Sequence, residues 1–509
     1  MYLRLSKHIR KDENMMHQNL KKIISFATAI MLLICAFGVS NAVLGVSGVT
    51  EVKVYQNDTL TKEENFNDVK KGWDKAISYA NSSNQVSITL GDNWSHDDCL
   101  KIPENSNVTL DLNGYYIHRT RNREYVSDGE VFYVSKGATL TIKDSRPYSK
   151  GYDGVEGGVI TGGASSDTAG GIHLAKDSSL YMNGGTIYEC TSQYNGGGIC
   201  ANEGSKNVEL RNSRIYFCQA ADSSDNCYGG GMYIEDNTKT VIEDSTIDSC
   251  YCEDDGGAIY FENLGKTLYM HNAIFSANRA NEQGGAIYIG SMSGDATTDV
   301  KSVNCFFVNN TSVDEGGAVY VNGRDKKNEN PVLFTGCVFK KNISEDEGGA
   351  IYVNDRYVAV TDCSVIENKS KKEGGGIYVD SYYDLSVKGS VIIRDNESED
   401  TRHNNLCLQE GTASTARVYS GGLYRDSYIM VSTTDDETHF SRDLTEYQAR
   451  YFHAEDGDLS FEKKDTVSTP LYASIFGTGS AFVIIGIIAL GIAAIAIAII
   501  VKKKGGEKE

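Results

Sequence analysis

Two short motifs alternate along most of this chain, and any fold must satisfy both at a single period. The first, Gly-Gly-(Ala/Gly)-apolar-Tyr, starts at Gly229, Gly256, Gly284, Gly316, Gly348 and Gly374, with variants at Gly196 and Ala169. The second is a run of alternating apolar residues closed by a turn residue, at Gly184, Asn212, Asp244, Asn272, Asn304, Gly336, Asp362 and Gly389, and earlier at Gly114 and Asp144. Successive turn residues lie 30, 40, 28, 32, 28, 32, 32, 26 and 27 residues apart. A unit of this size cannot bury its own apolar side, so it must stack on copies of itself. Period-2 alternation broken by Gly, Asn and Asp denotes short strands and tight turns, about three runs per unit, with no helical stretch. The expected fold is all-β: a right-handed parallel β-helix of about ten coils, each advancing roughly 4.8 Å. Leucine-rich repeats lack the Gly-Gly signature, and calcium-binding β-rolls need a nonapeptide period. A propeller, with longer blades and antiparallel hairpins, is the main structural rival.

The register also defines columns of side chains. A larger apolar residue recurs at Ile187, Ile215, Ile247, Phe275, Phe307, Phe339 and Val365. Three residues further on, the column reads Cys190, Cys218 and Cys250, then Asn278, Asn310, Asn342 and Asn368, with Asn396 after a one-residue insertion. Stacked Asn amides can hydrogen-bond from coil to coil, so these five are expected to form a structural ladder.

The flanks read differently. Lys21 and Lys22 precede an apolar run over 23–39, and Ser40-Asn41-Ala42 supplies small residues for cleavage, which is the pattern of a signal peptide over 1–42. Residues 43–83 form an N-terminal cap, in which 67–80 are expected to be an amphipathic helix with Val69, Trp73, Ala76, Ile77 and Ala80 on one side. The repeats occupy 84–396, a C-terminal β cap 397–465 and a polar linker 466–480. Residues 481–501 carry no charge and are long enough to span a bilayer as one transmembrane helix. Lys502, Lys503 and Lys504 put the tail, 502–509, in the cytoplasm and the bulk of the chain outside, as a single-pass protein of the cell membrane.

The pairing of Gly-Gly-Ala-(Ile/Val) with Phe275-x-x-Asn278, Phe307-x-x-Asn310 and Phe339-x-x-Asn342 resembles the polymorphic outer-membrane protein repeat. Degenerate copies extend the resemblance over about residues 110–396. It implies a fold similar to the pectate-lyase-type β-helix and a role like that of surface adhesins. Better-known members end in an outer-membrane barrel, whereas this chain ends in an apolar span and a Lys-rich tail, which is like a surface protein of a single-membrane bacterium. The repeat motifs are structural, so the resemblance implies no catalytic residue.

Composition limits the partners. With 49 Lys and Arg against 69 Asp and Glu, the net charge is −20, which argues against nucleic acid. Candidate ligands are cell-surface carbohydrates or proteins. Tyr233, Tyr260, Tyr288, Tyr320, Tyr352 and Tyr378 share one column between inward-facing neighbours, so their rings point outward. Such a stripe either stacks on sugars or receives a partner, or its rings stack on one another and stiffen the sheet. Before the Gly-Gly steps stand Asp254-Asp255, Asp314-Glu315, Glu345-Asp346-Glu347 and Glu373. Calcium would relieve repulsion between coils there, although a solvated acidic face also accounts for them. No cofactor is otherwise expected. Of the 12 cysteines, Cys227 and Cys252 lie on loops of neighbouring coils and form the best disulfide candidate. No nucleophile–base motif appears. An adhesin-like binding protein is therefore the first reading, a tethered polysaccharide lyase or glycoside hydrolase the second, and an envelope spacer the third.

Overall fold

The structure is a computed structural model. It describes residues 48–455 apart from 121–123, 223–226, 236–237, 263–266, 291–299, 324–330, 355, 381–383, 400–403, 410–416, 435–440 and 442–443. The leader 1–42 and the span 481–501 lie outside the described residues. Among those described, no helix is long and apolar enough to cross a membrane.

Val46–Pro470 forms one compact unit, and its described part is a parallel β-helix. Each full coil contributes four strands rather than three. In one coil these are Lys239–Glu243, Thr246–Asp248, Tyr251–Cys252 and Ile259–Phe261. Each pairs in parallel with its counterpart one coil on: Leu268–His271, Ile274–Ser276, Arg279–Ala280 and Ile287–Ile289. The third strand has only two residues, too few for alternation to reveal it. The four strand stacks are called here the first to fourth ladders. The first belongs to a 14-stranded sheet and the third is a nine-stranded sheet.

Three corners make the coil close. At the first, the turn residue has a positive φ at Gly114 and in every coil from Gly184 to Gly389, from +48° at Asn212 and Asp244 to +94° at Gly184; Asp144, which opens a longer connection, does not. Asn, Asp and Gly tolerate this left-handed conformation best, which explains their column. The second corner is also left-handed, yet holds Glu189, Phe217, Ser249, Ala277, Asn309, Lys341, Glu367 and Asp395. At the third, the two glycines have separate reasons. Gly316 sits at φ +70°, whereas a Cβ on Gly317 would lie 2.2 Å from the Gly349 carbonyl oxygen.

Inward residues of all coils merge into one continuous core. At its centre Phe275, Phe307 and Phe339 stack in parallel, with ring centroids 5.0 and 4.6 Å apart.

The first coil is covered by a device that alternation did not reveal. Strands β1 (Thr50–Gln56) and β2 (Thr59–Phe66) form an antiparallel hairpin, and β1 pairs antiparallel with β3 (Gln85–Thr89), the first strand of the first ladder. The ladder edge is thereby paired, and the exposed outer strand β2 carries Lys62, Glu63 and Glu64, charges that discourage edge-to-edge association. Helix α1 (Val69–Tyr79) closes the core, with Asp68 as N-cap accepting the Lys71 N–H at 2.8 Å. Its Trp73 packs 5.7 Å from Trp94 and 5.9 Å from Phe132.

The parallel ladders run on past Asn396 through Leu406–Leu408, Arg417–Leu423 and Tyr428–Thr433. Helix α2 (Glu446–Ala449) and the strand Phe452–Ala454 follow.

Candidate functional site: a tyrosine ladder edged by carboxylates

The six repeated tyrosines occupy the outward position of the fourth ladder, in register from Tyr233↔Tyr260 to Tyr352↔Tyr378. From Tyr260 to Tyr378 successive centroids are 4.6–5.2 Å apart and nearly parallel. Tyr228 joins by stacking 4.5 Å from Tyr260. The rings point outward but do not form an open stripe. Tyr233, Tyr288, Tyr320 and Tyr378 are only 5–7% exposed, and Tyr260 and Tyr352 are half-buried. Each inner ring has both faces covered by its neighbours, so the ladder offers edges rather than faces. Alternation specifies which way a side chain points, not what lies beside it.

Polar groups hold the hydroxyl ends. Tyr233 donates to Glu262, while Asn322 and Asn354 donate to the Tyr288 and Tyr320 hydroxyl oxygens at 2.8 and 3.0 Å. Burial raises the pKa of Tyr233, Tyr260, Tyr320, Tyr352 and Tyr378.

Beside the rings runs the residue that precedes each Gly-Gly: Asp255, Gln283, Glu315, Glu347 and Glu373. Gln283 relieves the repulsion between its neighbours. Its main-chain N–H donates to Asp255 and its side-chain amide to Glu315, both at 2.9 Å. Glu315, Asp346 and Glu347 bring three carboxylates within 4.8 Å, a spacing that suits a cation. Lys372 already supplies positive charge there, on Asp346 and 3.4 Å from Glu347. Burial, then Asp346, pushes Glu347 up to about 8.

Asp255 is 7% exposed, and burial pushes its carboxyl up to about 7. The unfolded chain loses this proton near pH 4, whereas the folded chain keeps it until about pH 7. Stability is therefore lost as pH rises through that window. Asp255→Asn retains an acceptor for Gln283 and removes the titration. The variant is expected to be more stable than wild type at pH 8, on the order of 2 kcal/mol, with the gap closing at pH 4. Urea unfolding at both pH values measures it. An equal gap at the two pH values would show that Asp255 is ionised throughout.

The asparagine column forms a buried hydrogen-bonded ladder. Asn278, Asn310, Asn342 and Asn368 each direct a main-chain N–H and a side-chain amide to the Oδ1 of the next rung, at 2.8–3.0 Å. Asn396 does the same to Asn405. Asn405 in turn donates to Glu455, which ends the ladder. Asn405 and Glu455 fall outside the period, so no sequence signal marked them.

Cys227 and Cys252 are buried neighbours and are not joined by a disulfide in this structure. Cys252 Sγ donates to the Cys227 carbonyl at 3.0 Å, and Cys227 Sγ donates to the Gln193 carbonyl at 3.2 Å. The sulfurs are thus aimed at main-chain oxygens rather than at each other, and the disulfide that loop proximity suggested is not formed.

The Chlamydia polymorphic membrane protein repeat matches residues 272–290 and 336–354. Each match runs from a first-corner turn residue to the fourth ladder, and includes a core Phe, a ladder Asn and the Gly-Gly corner. No curated protein and no solved structure matches the chain. The repeat implies a surface-exposed β-helix protein. Matched motifs and observed coils coincide: the chain carries polymorphic membrane protein repeats on a parallel β-helix of the kind those motifs call for.

Proposed function

We propose that this protein is an adhesin-like cell-surface protein that binds carbohydrate or protein ligands and does no chemistry on them. The observation that carries the reading is how the repeated columns are used. The Phe, Asn and Tyr columns are each consumed in stacking from coil to coil, so repetition builds a stiff support. Recognition is then left to loops and outer faces that differ between coils. The coils wind right-handed, the sense almost universal for parallel strand crossovers. A signal peptide over 1–42 exports the chain, and the helix over 481–501 holds it in the membrane with 502–509 inside. Binding requires no cofactor, and calcium at Glu315, Asp346 and Glu347 is at most a stabiliser.

The test incubates the full-length protein in detergent with a broad polysaccharide panel and with intact cells, with and without calcium. Bound protein and released sugar are recorded together. Binding without release is expected. Release of oligosaccharides would replace this reading with a tethered lyase or hydrolase. Absence of binding to every polysaccharide and cell type would leave the envelope spacer.

A further inference from the structure

The first and second ladders are joined by two residues in most coils, as at 212–213, 244–245 and 272–273. In one coil the connection is 144–158, which accounts for the 40-residue spacing between Asp144 and Gly184. This excursion is firmly held. The Asp144 carboxylate accepts main-chain N–H groups of Gly114 and Gly158, both at 2.7 Å, and of Arg146 at 3.2 Å. Ser149 donates to the Gly114 carbonyl at 2.9 Å, and Arg214 donates to the Glu156 carbonyl.

The excursion lays Tyr152 over the outer face of the second ladder. The Tyr152 ring lies 5.0 Å from Tyr116, 5.3 Å from His118 and 6.3 Å from Tyr188. Tyr188 donates to the Asp153 carboxylate at 3.4 Å. The next coil adds Phe217, edge-on to Tyr188 at 6.0 Å. These rings meet at steep angles, 71° for Tyr116 and Tyr152 and 85° for Tyr188 and Phe217; Tyr188 is buried beneath the cluster, and Phe217 is the ring held out to solvent.

Phe217 is the anomaly. It stands at the left-handed second corner with φ +53°, where other coils place mostly small or polar residues. This conformation is disfavoured for a bulky aromatic. Core burial does not compensate, because the residue is 52% exposed. Closure of the coil imposes the conformation here as in the other coils, so what sets this coil apart is a bulky aromatic ring held out to solvent at a fixed corner.

We infer that Phe217, Tyr152 and the 144–158 excursion, supported from beneath by the buried Tyr188, form a saccharide-binding subsite. The inference rests on the carbohydrate form of the function proposed above, and gives it a location away from the repeated tyrosines. A pyranose presents an apolar C–H face to an open ring, and a rim of hydroxyls to donors and acceptors. Phe217 supplies the ring. Asp153, hydrogen-bonded to Tyr188, supplies an acceptor, and Arg214, held on the Glu156 carbonyl of the excursion, supplies donors. This mixed rim suits a neutral polyhydroxyl ligand better than a polyion of either sign.

The test titrates full-length protein in detergent with cellohexaose, xylohexaose, mannohexaose and chitohexaose by calorimetry. At least one is expected to bind the wild type. Phe217→Asn is then expected to bind it about tenfold more weakly, equivalent to about 1.4 kcal/mol. Because Asn accepts the left-handed conformation, the same variant should unfold at the same or a higher temperature, which separates lost binding from lost folding. Tyr152→Ser should weaken binding likewise, and Tyr288→Phe, in the buried ladder, should bind as wild type does. Binding unchanged in F217N and Y152S would overturn the subsite and leave carbohydrate binding intact. Binding of none of the four sugars would also overturn the subsite, and the polysaccharide and cell panel would then decide separately whether the adhesin reading stands.

Discussion

Phe307→Ala is expected to lower stability by roughly 3–5 kcal/mol. The ring is fully buried, stacked 5.0 Å from Phe275 and 4.6 Å from Phe339, with the Phe334 ring edge-on at 6.2 Å. Its neighbours cannot collapse into the void. All three lie in coils adjacent to that of Phe307, and the backbone ladders fix the coil spacing. The cavity therefore persists, which places the cost toward the upper part of the range. Phe307→Leu keeps most of the volume and should cost less than about 1.5 kcal/mol. Urea unfolding measures both, and hydrogen exchange should show the opening centred on the coils of Phe275 and Phe339. A loss below about 1 kcal/mol for the alanine variant would mean that the stack is loosely packed.

Asn342→Ala should cost roughly 4 kcal/mol without creating a comparable void. Asn342 accepts the main-chain and side-chain N–H groups of Asn310 and donates to Asn368 Oδ1 and the Phe307 carbonyl. Its removal leaves several buried groups without partners, each worth about 1–3 kcal/mol, with partial relaxation. Asn342→Asp separates hydrogen bonding from packing. The protonated carboxyl can still donate, whereas the ionised form is a buried charge next to the Phe307 carbonyl. Burial holds its pKa above the unfolded value, so the variant should lose stability as pH rises from about 4. Thermal unfolding at pH 4.5 and pH 8 tests this, and a variant equally stable at both would show that water reaches the ladder.

Sequence and structure divide along physical lines. Periodicity was enough for the parallel β-helix and the inward columns, because each is a local pattern repeated until stacking is the only way to bury it, and the helix over the first coil was legible from its single apolar face. The Asn and Gly-Gly columns were legible for the same reason. Other features arise from contacts that alternation does not encode. The second corner is left-handed in eight coils, yet holds residues as different as Glu189, Ala277 and Lys341, because closure of the coil rather than side-chain preference imposes it. The antiparallel hairpin pairs with the first coil only because that ladder edge needs a partner.

The candidate sites follow the same division. Outward orientation of the tyrosines was readable from two-residue alternation, but their covering depends on neighbours about thirty residues away in the chain. Loop proximity drew attention to Cys227 and Cys252, whereas only the fold shows their thiols directed at main-chain carbonyls. The irregular 40-residue spacing was visible as a number, but only the folded excursion brings Tyr152 to Tyr116, Tyr188 and the neighbourhood of Phe217. The sequence by itself determined the repeat, the stacked columns and the direction of each side chain, since these follow from local stereochemistry and the burial of one apolar face. Only the tertiary structure decided which outward residues are covered and which remain open, because that depends on coils and loops brought together by folding.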